Sequence, residues 1–599
     1  MKELASLNKY FVKYKWRIGA GIFFVICANF LNAVNPLITG NAVDLIGESL
    51  KDIKNGGQLA ETIKEGLGWQ VLKLFLAYLG VALLAGAFTF LMRQTIIVVS
   101  RLIEYSLKED MYDQYQKLDL TFYRQNNTGD LMNRITEDVG RVRMYAGPAI
   151  MYSVNLLFTI LFVTVSMFTI NAELTMYVLI PLPVLSVLIY FINEQIEKSS
   201  TVIQEKLSSL TVDAQETYSG IRVVQAYARE KEMLSHFEKE CEEYKQKQLR
   251  LAKLDALYFP IMTFLIGCSI IIVVYVGGVK VGNAKLSAGN LATFIMYTNM
   301  LMWPVSSLGW TASMIKRAIA SQRRINQFMH QESNVPDTGT IEHPIKGEIV
   351  FDHVSFTYPN TGITALKDVD FKIKAGERIA IIGRTGSGKT TIADLVMRMY
   401  DVTKGHIYVD GTDVRQYKLG SLRKQVGFVP QDVFLFSETI TENIGFGLEK
   451  VEREHAVQFA HHASIGNEIE RFPEQYDTMV GERGVTLSGG QKQRISIARA
   501  LIKQPNVLIL DDSLSAVDAS TEKQIQQNLD VVLRGKTALI ITHRIFSLIH
   551  FDNILVLDEG KIAEQGTHDE LLRRNGLYAE IYTKQLSEQH QRADEAPIG

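Results

Sequence analysis

The chain has 599 residues, 47% of them hydrophobic and 21% charged, with a formal net charge of −2. That is too long for a single core, and the balanced average hides an N-terminal half with long uncharged runs and a C-terminal part patterned like a globular domain. Cys27, Cys241 and Cys268 give no disulfide framework and no metal-ligand spacing, so they read as packing residues.

The first seventeen residues interleave Lys2, Lys9, Lys13, Lys15 and Arg17 with Leu4, Leu7, Tyr10, Phe11 and Trp16. This basic, interfacial pattern predicts an amphipathic elbow lying on the membrane surface. Apolar stretches long enough to cross a bilayer follow near residues 18 to 42, 71 to 98, 147 to 169, 173 to 193, 258 to 282 and 288 to 312. Six spans return the chain to its starting side. Short turns near Asn171 and Asn283 alternate with long stretches rich in Lys and Arg, from Arg101 to Arg143 and from Glu194 to Lys253. The positive-inside rule puts those long stretches in the cytoplasm, and their helical periodicity extends the membrane helices well beyond the bilayer. Each carries a Gly-interrupted turn, at Phe122 to Asp130 and at Glu216 to Arg222, which reads as a docking element or as a solvated hairpin tip.

Within the apolar runs, Pro36, Pro181, Pro183, Pro260 and Pro304 are expected to bend helices. Asn29, Asn32, Asn35, Asn155 and Asn299 are costly in lipid unless they pair or face water, which points to an internal cavity. Met296, Tyr297, Met300, Met302, Trp303 and Trp310 form a deformable aromatic set that suits either ordinary packing or contact with apolar cargo.

The predicted organisation is a transmembrane domain over 1–325, a polar linker over 326–346, a soluble domain over 347–590 and a tail over 591–599. In the soluble part, Ile379 to Ile382 is an apolar run followed by Gly383-Arg384-Thr385-Gly386-Ser387-Gly388-Lys389-Thr390 and a helical pattern from Thr391. This strand-loop-helix setting is that of a phosphate-binding loop, in which inward-turned backbone N–H groups and a helix N-terminus face the phosphates. Lys389 is expected to reach the β- and γ-phosphates and Thr390 to ligate Mg²⁺, with Asp511 closing the metal site from the end of the strand Val507 to Leu510. Tyr358, 25 residues before the loop, is by itself an ordinary core aromatic.

Leu487-Ser488-Gly489-Gly490-Gln491 adds what a phosphate loop alone lacks, and the combination resembles the ATP-binding cassette (ABC) proteins. Across its whole length the chain resembles a half-transporter of the type IV exporter group, with an all-α membrane domain of six helices followed by an α/β P-loop cassette. The resemblance implies ATP and Mg²⁺ as cofactors, Tyr358 and Thr391 beside the nucleotide, Gln431 as the Q-loop residue near the metal, and His543 as the γ-phosphate sensor. It also implies a D-loop at Ser515 to Asp518 and Ser488, Gly489, Gly490 and Gln491 as the surface that closes on a second cassette's ATP. It further implies that the two cytoplasmic turns and Gly481 to Gly484 form the coupling surface.

One position departs from the family pattern: most members carry Glu after the metal-binding Asp, and here it is Asp512. The shorter side chain withdraws the general base by about 1.5 Å, enough to forfeit much of its contribution. The pattern resembles the degenerate-site subunit of heterodimeric bacterial multidrug exporters, which implies a second half-transporter chain as partner, membrane lipids around it and a small hydrophobic substrate in the cytoplasmic membrane. A homodimer tolerating Asp512, a lipid flippase, an ATP-gated channel and a peptide exporter are the alternatives. The membrane spans exclude a soluble DNA-repair or translation ATPase, so no nucleic-acid partner is expected.

Overall fold

A computed structural model describes residues 2–55, 60–515, 517, 519–543 and 551–594. It divides into two compact units: Met1–Tyr115 with Gly129–His330, and Gln116–Thr128 with Gln331–Gly599.

The first unit is helical, and the apolar runs named above lie in helix except at Ile180 and Leu301. Its long helices are α1 (Lys15–Asn55) and α2 (Ala60–Lys117). Beyond α3 (Leu120–Gln125), which belongs to the second unit, come α4 (Ile150–Ile170), α5 (Ala172–Leu179), α6 (Pro181–Ser219), α7 (Glu230–Gly282), α8 (Ala288–Met300) and α9 (Met302–Met329). Among the described residues, four helical stretches are by themselves long and apolar enough to cross a membrane: Lys15–Lys51, Gly66–Lys117, Thr128–Ile170 and Glu230–Gly282. The other two of the six expected runs are broken, at Ile180 between α5 and α6 and at Leu301 between α8 and α9. Proline is the physical reason. Pro181 and Pro183 have no N–H for the carbonyls of Tyr177 and Leu179, and Pro304 has none for that of Met300.

Pro36 stays inside α1, and α8 supplies donors beside it: Tyr297 Oη donates to the Ala33 carbonyl at 2.6 Å and Thr293 Oγ1 to that of Pro36 at 3.0 Å. The two helices approach closely there, because a Cβ on Gly289 would lie 2.0 Å from the Gly40 carbonyl oxygen. The apolar interior gathers Val163, Met167, Leu174, Val178, Val273, Phe294 and Leu301.

The elbow buries Leu4, Leu7 and Tyr10 against protein, its backbone and Ser6 bond Asn326 of α9, and Val12 and Trp16 remain exposed. α9 continues to Met329, four residues beyond the expected end of the membrane domain, and irregular chain follows from Gln331.

The second unit holds two sheets. β1 (Ile349–Thr357) and β2 (Thr364–Ile373) join a four-stranded antiparallel sheet in the order β2-β1-β4-β5, with β4 at Lys404–Val409 and β5 at Thr412–Asp413. A six-stranded sheet runs β10-β9-β3-β8-β7-β6. Its members are β3 (Arg378–Gly383), β6 (Val426–Val429), β7 (Val507–Asp511), β8 (Thr537–Ile541), β9 (Asn553–Asp558) and β10 (Lys561–Gly566), parallel except at β10. β7 is buried at every residue, the pattern of a strand covered on both faces. Within the same unit, α3 is N-capped by Asp119, which accepts from Phe122 N at 3.0 Å and also from the Asn334 amide, and Leu120 packs on the core under the sheets.

Candidate functional site

Parallel strands place their carboxyl ends on one edge, and ligands of open α/β sheets bind there. β3 delivers Gly383 to that edge, β7 delivers Asp511, and β8 lies between them, in register through Ile381↔Ile541 and Asp511↔Ile541. His543 is two residues past Ile541, between the phosphate loop and Asp511. β6 pairs with β7 through Val429↔Leu510, which brings Gln431, two residues on and exposed, to the same edge. Asp518 and its neighbour Ala516 lie outside the described residues.

After β3 the loop turns into α10 (Lys389–Val396). Gly388 has φ +102°, and a Cβ there would lie 2.5 Å from the Ala365 carbonyl oxygen; a Cβ on Gly383 would lie 2.1 Å from that of Leu557. Only glycine lets the backbone sit this close. Gly388→Ala should cost about 1–3 kcal/mol of stability. It should also abolish the ATP-induced rise in Tm, read by calorimetry with and without nucleotide.

Lys389 is buried and donates from Nζ to the carbonyls of Gly383 at 3.0 Å and Arg384 at 2.9 Å, so the ammonium is held inside the loop. Desolvation pushes its pKa down, while the Asp511 and Asp512 carboxylates push it back up. Asp511 is buried; desolvation raises its pKa, a Thr390 hydrogen bond lowers it, and the Asp512 charge raises it again. Among the described residues its Oδ2 has no hydrogen-bond partner, nor has the buried Ser387 Oγ. A buried acceptor beside the Thr390 hydroxyl, facing a loop of backbone donors and one ammonium, is the donor set that a magnesium nucleotide completes. The residues fit both groups.

Asp512 has φ +44°, and its backbone is fixed at both ends: its N–H donates to the Ile541 carbonyl at 2.9 Å and its carbonyl accepts from Ser515 Oγ at 2.9 Å. His543 remains open to solvent, yet desolvation and the nearby Lys389 charge hold its pKa below the usual histidine value, against the pull of Asp512. Tyr358 Oη shares a 2.9 Å hydrogen bond with Thr391 Oγ1, so Thr391 is buried and engaged with Tyr358. Arg124 of α3 lies over the Tyr358 ring at 5.5 Å and over that of Tyr400 at 5.6 Å.

The signature opens α11 (Gly489–Leu501) with a capping box. Ser488 N donates to Gln491 Oε1 at 2.9 Å and Gln491 N to Ser488 Oγ at 3.3 Å, and Ser488 and Gly489 are exposed. No hydrogen bond among the described residues joins this helix start to Lys389 or Asp511. Sequence reasoning missed Glu468, which accepts from Gln491 Nε2 at 3.1 Å and Arg494 Nη1 at 2.6 Å. Desolvation opposes its ionisation, but those two donors hold its pKa below the usual range and fix the signature from behind.

In the membrane unit, Asn29, Asn32, Asn35 and Asn155 line one cavity of about 350 Å³, together with Met296, Met300 and Trp303. Asn299 does not join them; it is exposed and bonds the Ile295 carbonyl. Tyr297 and Trp310 serve packing, Trp310 against Tyr152 at 5.2 Å between centroids, and Met302 packs beside Ile189 and Met262.

A helical membrane unit joined to a P-loop ATPase cassette defines a class of protein that couples ATP hydrolysis to transmembrane transport. The family models described as "ABC transporter transmembrane region" and "ABC transporter" match residues 18–305 and 366–515. The chain is 36% identical over 590 residues to the probable multidrug resistance ABC transporter ATP-binding/permease protein YheI of Bacillus subtilis, covering 97% of each. It is 35% identical to the multidrug resistance-like ATP-binding protein MdlA of Escherichia coli, over 98% of this chain and 97% of that one. To the ATP-dependent lipid A-core flippase of Pseudomonas fluorescens it is 36% identical, over 81% of this chain and 80% of that one. The chain belongs to the ABC transporter family and is an ATP-driven exporter with a cytoplasmic ATPase domain.

Proposed function

We propose that the chain exports amphipathic or hydrophobic compounds across a bacterial cytoplasmic membrane by alternating access, as one half of a heterodimer in which its own ATP site hydrolyses slowly. In this reading the loop from Gly383 to Thr390 cradles the phosphates and Tyr358 stacks on adenine. Thr390, Gln431 and Asp511 hold magnesium, which when bound neutralises charge on the phosphates. His543, whose pKa desolvation and the Lys389 charge hold down, faces the γ-phosphate. Ser488, Gly489, Gly490 and Gln491 serve the partner's ATP, with Asp518 lying alongside. ATP and substrate each favour one of two conformations, and their differential binding performs the switch.

The observation that carries the slow site is Asp512. Its backbone is pinned to Ile541 and Ser515, so the chain cannot advance to make up for the missing methylene. The test is ATPase activity in lipid of this chain alone, of Asp512→Glu, and of the chain co-expressed with a half-transporter carrying Glu at that position. Low activity alone, raised on the order of 10²-fold by either change, supports the heterodimer. Brisk activity alone that Asp512→Glu does not increase sinks it.

A homodimeric lipid flippase is the second reading, favoured by the relatives named as lipid A-core flippases. ATP-dependent flipping of a fluorescent phospholipid by this chain alone would favour it.

A further inference from the structure

Away from the nucleotide site, the antiparallel sheet brings a histidine and three carboxylates together on its outer face. β1 and β2 pair through Phe351↔Phe371 and Val354↔Val369, so Asp352 and His353 together oppose the single residue Asp370. Two residues against one is a β-bulge, which re-aims a side chain. Phe351 and Val354 stay in the core, and the two side chains between them both leave it instead of alternating. The next irregularity puts the extra residue on β2: Val354↔Val369 is followed by Phe356↔Leu366, and Asp368 lies in that interval, its amide donating to Ser355 Oγ at 2.9 Å.

Asp352, His353 and Asp370 each offer one ligand atom, and these atoms lie within 4.8 Å of one another. His353 Nε2 is 3.6 Å from Asp370 Oδ2. That is long for a hydrogen bond and close to the separation, about 3.4 Å, of two ligands on a tetrahedral ion at about 2.1 Å from each. On the other side of the ring, His353 Nδ1 donates to Asp368 Oδ1 at 2.8 Å. A carboxylate only accepts, so Nδ1 carries the proton and the Nε2 lone pair of the neutral ring is left for an ion. Metal-binding histidines are oriented in this way by an outer carboxylate. The Asp368 hydrogen bond and the charges of Asp368, Asp370 and Asp352 push the His353 pKa up, and the field that favours a proton there favours a dication too. Among the described residues no lysine or arginine forms an ion pair with any of these three carboxylates.

We propose that Asp352, His353 and Asp370 bind a borderline divalent transition-metal ion such as Zn²⁺, with Asp368 as the positioning residue, and that the ion clamps β1 to β2. The imidazole sets the class, since Mg²⁺ and Ca²⁺ prefer oxygen ligands alone. His406, opposite Asp352 on β4, stays outside the set, because its Nδ1 is 2.8 Å from Asp413 Oδ2.

The test is calorimetric titration of zinc chloride into the full chain in nanodiscs, purified without a histidine tag. Magnesium ADP fills the nucleotide site, and mildly alkaline buffer removes the competing proton. The wild type should take up one equivalent of zinc more than His353→Asn, and zinc should raise its Tm more. Asn tolerates the φ of +48° at this position, so the variant keeps the backbone. Asp370→Asn, on regular strand, should lose the same equivalent and serves if His353→Asn folds poorly. Asp368→Asn should keep the site and weaken it roughly 10- to 100-fold, the effect of removing an outer carboxylate. His406→Asn should bind as the wild type does. Equal zinc uptake by the wild type, His353→Asn and Asp370→Asn overturns the assignment, as does loss of the equivalent in His406→Asn but not in His353→Asn. A wild-type chain that takes up no zinc overturns it without any variant.

Discussion

Asp511→Asn should silence the cassette without weakening its fold. In the proposed site Asp511 supplies the carboxylate that holds magnesium from the end of β7, and an ion there contributes several kcal/mol of transition-state stabilisation, so the ATPase activity of this chain alone, in lipid, should fall on the order of 10²- to 10³-fold. Stability should move the other way. The carboxylate is buried at the end of a wholly buried strand, its Oδ2 has no donor among the described residues, and burial opposes its charge. Asn keeps the shape and removes the charge, which relieves the desolvation that the nucleotide-free protein bears. Calorimetry of the full chain should therefore give an unchanged or higher Tm for the variant without nucleotide, and a smaller rise on adding magnesium and ATP. Retention of more than about a tenth of wild-type ATPase would remove Asp511 from the metal site.

How much of this was legible follows from distance along the chain. The phosphate loop reads directly because strand, glycines, lysine and helix start are consecutive, and because β3 is an apolar run bounded by Gly383. His543 was placed by its position after β8, since parallel strands bring every carboxyl end to one edge. The prolines were visible too, but their consequence was not. Pro36 and Pro260 stay inside α1 and α7, while Pro183 and Pro304 lie in the first turn after a break; the donors that Thr293 and Tyr297 of α8 bring beside Pro36 are not visible from one segment. Residue type alone groups Asn299 with the other amides, and it is exposed and bonds the Ile295 carbonyl instead. Glu468 gave no signal, because its partners Gln491 and Arg494 meet it only through the fold. The pattern of the elbow reports its apolar residues but not that Leu4, Leu7 and Tyr10 are covered by protein while Val12 and Trp16 are exposed.

The residue least legible in the sequence is Asp394, one turn along α10 from Thr390. It is buried, and among the described residues neither its Oδ2 nor the buried Tyr400 Oη near it has a partner. Desolvation is the main cause that pushes the Asp394 pKa up to about 6; the Arg124 guanidinium pulls it down and the Asp511 charge pushes it up. Unlike Asp511, it has no assigned role at the nucleotide, so its burial is a cost without a catalytic return. A carboxyl group whose folded pKa is raised adds stability that is fully present below its unfolded pKa, near 3.8, and is lost as pH rises through about 6. At pH 8 the group is ionised in both states and that stability is gone. Asp394→Asn should therefore stabilise the cassette at pH 8 by up to about 3 kcal/mol, from a shift of roughly two units at 1.36 kcal/mol each, less whatever Arg124 loses with its counter-charge. Below pH 4 the two chains should be alike. Calorimetric Tm values for the full-length wild type and variant, at pH 8 and again near the acid limit of stability, make the check. A variant less stable than wild type at pH 8 would mean that attraction to Arg124 outweighs desolvation. Asp394 would then be the charge that keeps α3 seated on the tyrosine pair, and Arg124→Gln should reproduce the same loss.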